Sequence, residues 1–242
     1  MSLKLINIKT GNTAQPIYVP GAAELALASS PNVLAWLEGG SGFLKSDGSV
    51  WYDRKTGAAY PVTGTLAAGT AINGFGAMGF STTQSVNLGS IFPVSGDYTL
   101  LSVYRQTKVG NCCLVGSSGA SYHSFHLASN GGLNSSHAAT GIVAGAVPHA
   151  LSTPSFSSLT WDQATGTQRA YFGGTLEVTP TAGRPSNTDS SCIVGALPGL
   201  NSSLNFGGDI AATLVVSLDF SKAANATFAA LVNSYLKTKY AV

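Results

Sequence analysis

The chain has 242 residues, with 12 basic and 10 acidic residues making up only 9% of it, against about 25% in ordinary soluble domains. A net charge of +2 gives no electrostatic footprint for DNA or RNA, and a 44% hydrophobic content excludes a disordered polyelectrolyte. Polarity comes instead from 30 serines and 22 threonines, with 29 glycines for turns.

Charge is also unevenly placed. Residues 56–96 and 109–161 contain no Asp, Glu, Lys or Arg. Interface cores are depleted in charge, so these stretches suggest a surface covered in an assembly. No apolar run reaches the length of about 18 that a membrane helix needs, so no membrane partner is expected. The start, MSLKLINIKTGNTAQ, lacks the apolar core of a signal peptide, and synthesis in a host cytoplasm is the expectation. Cys112, Cys113 and Cys192 form no metal-type spacing and read as small packing residues.

Residues 1–30 differ from the rest. IYVPGAAELALASS reads as an N-terminal arm or pairing segment, alternatively an edge strand, with residues 31–242 as the main domain. Short strands and turns follow. LAWLEGG (Leu34–Gly40) leads to SDGSVWYD (Ser46–Asp53), and DYTLLSVYR (Asp97–Arg105) is rich in β-branched and aromatic residues. CCLVG, SYHSFHLA and TGIVAGA come next, at the spacing of a β-sandwich. SFSSLTWD, QATG and TQRAYFGG make a strand, turn and strand, and SCIVGA and DIAATLVVSLDF close the series. Leu214, Val215 and Val216 predict a strand covered on both faces. Only the last segment has helical periodicity: Phe228, Leu231, Val232, Tyr235 and Leu236 form a stripe that fades at Lys239. Ser221 suits the N-cap, and Lys237 and Lys239 suit the negative end of the helix dipole.

The order of these signals resembles the laminin-G-like, concanavalin A-type jelly roll found in phage and bacterial surface proteins. LAWLEGGSGFLKSDGSVWYDRKTG, INGFGAMGFSTTQSVNL, LTWDQATGTQRAYFGG and the closing CIVGALPG, FGGDIAATLVV and FAALVNSYLKTKY carry the likeness over residues 32–242. Gly173 stands where the family usually has Asn. The resemblance implies an all-β jelly-roll sandwich with a short C-terminal helix. It also implies a non-enzymatic virion component, a capsid decoration or fibre subunit. Such a protein would attach to the major capsid or another virion protein and form a homo-oligomer such as a trimer. The alternative is a lectin-like module that binds a host glycan.

Glycoside hydrolysis needs two facing carboxylates, and neither an ExDxE run nor a convergence of Glu38, Asp47 and Asp53 is legible. His123, His126, His137 and His149 lack the acidic neighbours of a zinc site and read as loop or interface histidines, able to make assembly pH-sensitive. Asp162, Asp189 and Asp209 define no calcium site, and no cofactor is expected. Trp51, Tyr52, Tyr122 and Trp161 are the aromatics on which a sugar could stack. Trp51 and Tyr52 adjoin on a strand, so one faces in and the other out.

Overall fold

A computed structural model describes residues 21–118, 122–138, 140–142, 147–179, 189–197 and 202–242. Two antiparallel sheets stack face to face. The first runs in the order β14 (Thr175–Val178), β13 (Thr167–Phe172), β12 (Ser155–Asp162), β7 (Tyr98–Gln106), β16 (Gly207–Val216), β5 (Met78–Ser81) and β4 (Ala67–Ala68). Strand β1 (Val33–Glu38) pairs with the second half of β16, beyond the stretch that β5 uses. The second sheet runs β11 (Thr140–Ile142), β10 (Leu133–His137), β9 (Ser124–Leu127), β8 (Cys112–Gly116), β15 (Ile193–Val194), β6 (Ser85–Asn87), β3 (Ala59–Thr63) and β2 (Val50–Tyr52). The predicted jelly-roll-type β-sandwich with a C-terminal helix is therefore the fold observed.

Alternation within β7 and β16 builds two cores. Leu100, Tyr104 and Val215 point between the sheets, against Leu114, Phe125 and Val194 of the second sheet. Leu101, Val103, Leu214 and Val216 point outward from the first sheet, onto Leu27, Val232 and Leu236. Every residue of β16 is buried, as its unbroken apolar run predicts. Full burial of each such side chain contributes about 1.5–3 kcal/mol.

Two helices cover that outer face. The second, α2 (Ala226–Tyr240), matches the predicted stripe. Its start is corrected: Asn225 is the capping residue, after a 3-10 turn at Ala223–Asn225, and the Ser221 hydroxyl bonds to Asp219 Oδ2 at 2.8 Å. The first, α1 (Ala22–Ser29), is a helix where an edge strand was the alternative; residues 1–20 of the expected arm lie outside the described residues. Eight residues are too few for a stable isolated helix. Docking holds it, with Leu27 wholly buried and the Gly21 N–H bonded to Glu24 Oε2 at 3.1 Å.

The histidines are corrected too. His123, in the loop just before β9, and His137, at the end of β10, are both buried in the core. His123 stacks on Phe92 at 3.2 Å, and His137 stacks on Trp161 at 3.6 Å and bonds to the Tyr98 hydroxyl at 3.0 Å. All three cysteines are free and buried, and burial pushes the Cys112 and Cys192 thiols up to about 12. A thiol reagent at neutral pH is expected to leave the folded protein unmodified and to titrate three thiols after unfolding, because only thiolates attack.

Candidate functional site

The four aromatics picked from the sequence do not meet. Trp51 and Trp161 have no exposed surface. Trp51 Nε1 donates to the Glu38 carbonyl at 2.8 Å, and Trp161 Nε1 donates to Gln163 Oε1 at 2.9 Å. Both are core residues and present no face to a ligand, which corrects that expectation. Tyr52 is half-buried and faces outward from β2, opposite in sense to Trp51, as the strand alternation predicts. Tyr122 precedes β9 and is also half-buried. Four strands separate β9 from β2, about 24 Å at the usual strand spacing. These two tyrosines cannot share one groove.

The polar residues that do converge come from four separate segments. Trp36 and Glu38 lie on the outward face of β1. Asp53 ties the next segment to them: its Oδ2 accepts the Trp36 N–H at 2.7 Å, and the Arg54 N–H donates to the Trp36 carbonyl at 2.8 Å. Arg54 is thereby laid over the Trp36 ring, 4.6 Å from its centroid. Its Nη1 is ion-paired with Glu38, and its Nη2 donates to Glu24 Oε1 of α1 at 2.6 Å. From α2, Lys239 Nζ donates to Glu38 Oε2 at 2.7 Å, and the Tyr235 hydroxyl lies 2.7 Å from Glu38 Oε1 and 2.9 Å from Glu24 Oε1. Two carboxylates and two cations thus balance in a nearly dry cluster. Burial, with help from the Arg54 guanidinium, pushes Lys239 down to about 8, while Glu24 opposes the shift. Burial raises the Tyr235 phenol.

Above this cluster opens a groove of about 750 Å³. Ala22 and Ala23 of α1 and Leu231 of α2 give it methyl walls, and Glu24, Tyr235 and Lys239 reach its floor. Its third side is the turn before β5. Ile72 and Phe75 pair across Asn73 and Gly74, both at positive φ, the backbone of a tight Asn-Gly hairpin turn. Gly76 lets this turn press on the end of β1, since a Cβ there would lie 2.7 Å from the Gly40 Cα. The turn leaves Phe75 42% exposed, with its ring edge-on to Tyr240 at 5.7 Å. Asn73 Nδ2 donates to the Lys239 carbonyl at 2.9 Å.

An exposed ring, methyl walls and a few fixed polar groups form a setting for a small polar ligand with apolar faces. The carboxylates are committed to Arg54 and Lys239. Among the described residues, no three His, Cys, Asp or Glu side chains gather to hold a metal ion. Sequence reading missed Phe75 because glycines hide it in NGFGAMGF. It missed the ionic cluster because Glu38 and Lys239 are 201 positions apart. One signal was present: Lys239 follows Tyr235 by four positions, which places a charge on the apolar stripe of α2.

No protein-family profile and no curated protein sequence matches this chain. Solved structures do resemble it. Domain 4 of the extracellular GH43 arabinanase AbnA from Geobacillus stearothermophilus, solved with arabinotriose, superposes with a TM-score of 0.59 at 15% identity, over 83% of this chain and 98% of that domain. Trypanosoma rangeli sialidase, solved with sialic acid, gives a TM-score of 0.60 at 13% identity over 87% of this chain. This chain spans only 34% of that enzyme. The binding domain of botulinum neurotoxin serotype G gives 0.58 at 9% identity, over 86% of this chain and 52% of that one. At these identities the likeness is one of architecture, and the chain shares the two-sheet β-sandwich fold of all three.

Proposed function

We propose that this protein is a non-catalytic carbohydrate-binding module and that the groove between α1, α2 and the 72–75 turn takes the sugar. The observation that carries the reading is Phe75, a partly exposed ring beside Asn73, Lys239 and Glu24 in one concavity. An aromatic face matches the C–H face of a sugar, and the Asn73 amide and the Ser234 and Thr238 hydroxyls that line the groove suit sugar hydroxyls. The similar arabinanase domain solved with arabinotriose supports the reading. Glycan-array screening followed by calorimetry tests it. Phe75→Ala is expected to weaken binding at least about tenfold, or about 1.4 kcal/mol. The same change is expected to alter unfolding free energy by about 1 kcal/mol or less, because the ring is partly exposed. Silence across the array would overturn the proposal.

A second reading is attachment to a virion shell through a charge-poor face. It is favoured by the stretch 56–96, which has no charged residue and exposes Ala67, Ala68 and Phe75. Co-sedimentation with particles, with no glycan bound, is the outcome that would select it.

A further inference from the structure

A second groove lies across the wall of the first. It holds about 580 Å³ and is lined by Thr65, Ser81, Gln84, Thr107 and Asp209, over a floor that includes Gly69 and Gly79. The segment joining β4 to β5 serves both grooves. Gly69 and Thr70 line the second, while Asn73 and Phe75 line the first. Three peptide steps separate Thr70 from Asn73, so their Cα atoms are at most about 11 Å apart.

This dividing wall is fixed at both ends. Asp209 Oδ1 accepts the Thr70 N–H at 3.0 Å, and its Oδ2 accepts Arg105 Nε at 3.0 Å and Nη2 at 2.6 Å. Arg105 Nη2 also donates to the Thr70 carbonyl at 2.8 Å. A side chain at position 69 would put its Cβ 2.2 Å from Asp209 Oδ1, so the glycine is what lets this carboxylate reach the loop. At the other end, Asn73 is tied to the Lys239 carbonyl and Ile72 is buried. The Tyr240 hydroxyl donates to the Ala211 carbonyl at 3.2 Å, two residues along β16 from Asp209. The end of α2 and the second groove therefore sit on the same face of the first sheet.

The two grooves differ in chemistry. The first offers an aromatic ring and apolar walls. The second offers hydroxyls, the Gln84 amide and a carboxylate already paired with Arg105. Gln84 is itself pinned, with Oε1 accepting the Ser81 N–H at 2.6 Å. Among the described residues its Nε2 makes one long contact, 3.3 Å, to the Thr65 carbonyl, and a second amide hydrogen gives it donor capacity for a ligand.

From this placement we infer that the ligand is a chain of several sugar units lying across the 69–77 segment, with one part on Phe75 and another in the hydroxyl-lined groove. The inference rests on the saccharide reading above and narrows it from a terminal sugar to an oligosaccharide. Calorimetry with arabino-oligosaccharides from disaccharide to hexasaccharide tests it on the whole chain. If the array selects another glycan, the length series of that glycan is used. Affinity is expected to rise about tenfold or more from disaccharide to hexasaccharide. Gln84→Ala is expected to erase most of that gain and leave disaccharide affinity unchanged, whereas Phe75→Ala weakens both. Affinity independent of length, or a gain that survives Gln84→Ala, overturns the chain inference while the saccharide reading stands. Absence of binding to any glycan overturns both.

Discussion

Unfolding free energy is expected to fall by about 4 kcal/mol between pH 7 and pH 5. Burial pushes His123 down to about 3 and His126 down to about 4, while an unfolded histidine titrates near 6.5. At pH 7 the folded chain holds neither proton, and the unfolded chain holds each about a quarter of the time. At pH 5 the unfolded chain has taken up both and the folded chain almost none. Stability therefore rises with pH in this window. It is fully present above about 6.5 and is lost progressively as pH falls toward the folded-state values. Each histidine contributes about 1.4 kcal/mol per pH unit once the unfolded form is protonated. Urea denaturation at pH 7, 6 and 5 checks this. His123→Phe, which keeps a ring on Phe92, should remove about half of the slope. A midpoint that does not move with pH would sink the argument.

Arg54→Ala is expected to cost about 3–5 kcal/mol, the range for stranding buried partners of an ion pair. Its side chain is 14% exposed and pairs with Glu24 at 7% and Glu38 at 2%. Without it, Lys239 is the cation left beside the two carboxylates, and the Trp36 ring loses its cap. The loss should be felt first in α1, which has only eight residues and is held by docking. Hydrogen exchange should therefore accelerate at residues 22–29 before the sandwich strands respond. Lys45→Ala is the control. Its pair with Asp47 is half exposed on both sides, and such surface pairs contribute about 0–1 kcal/mol. Equal effects from the two substitutions would refute the claim that the cluster is a buried structural unit.

The sandwich was legible where strands are long and doubly covered. Asp97–Arg105 and Leu214–Val216 announced β7 and β16 because burial on both faces demands unbroken apolar runs. Helix α1 was not legible. AAELALAS has good helix formers but spans barely two turns, and the partners that hold it, Arg54 and Tyr235, are remote in sequence. The site suffered from the same limitation. Phe75 differs from the other aromatics only in being lifted by the Asn73-Gly74 turn, and tertiary structure decides which rings reach water. Trp51 and Trp161 were plausible sugar platforms by residue type, but the pleat turned both inward.

The position of β16 has a consequence for synthesis on the ribosome. This strand pairs with β7, β5 and β1, yet it follows all three in the chain. Val33 of β1 must wait for Val216, its partner in the register. At about 5–20 residues per second, the delay is roughly 10–40 s. Throughout it, the apolar strands of the first sheet exist without their central member. The nascent chain therefore passes through a prolonged aggregation-prone interval, and its yield in a cell should depend on chaperone capacity more than the stability of the finished domain would suggest.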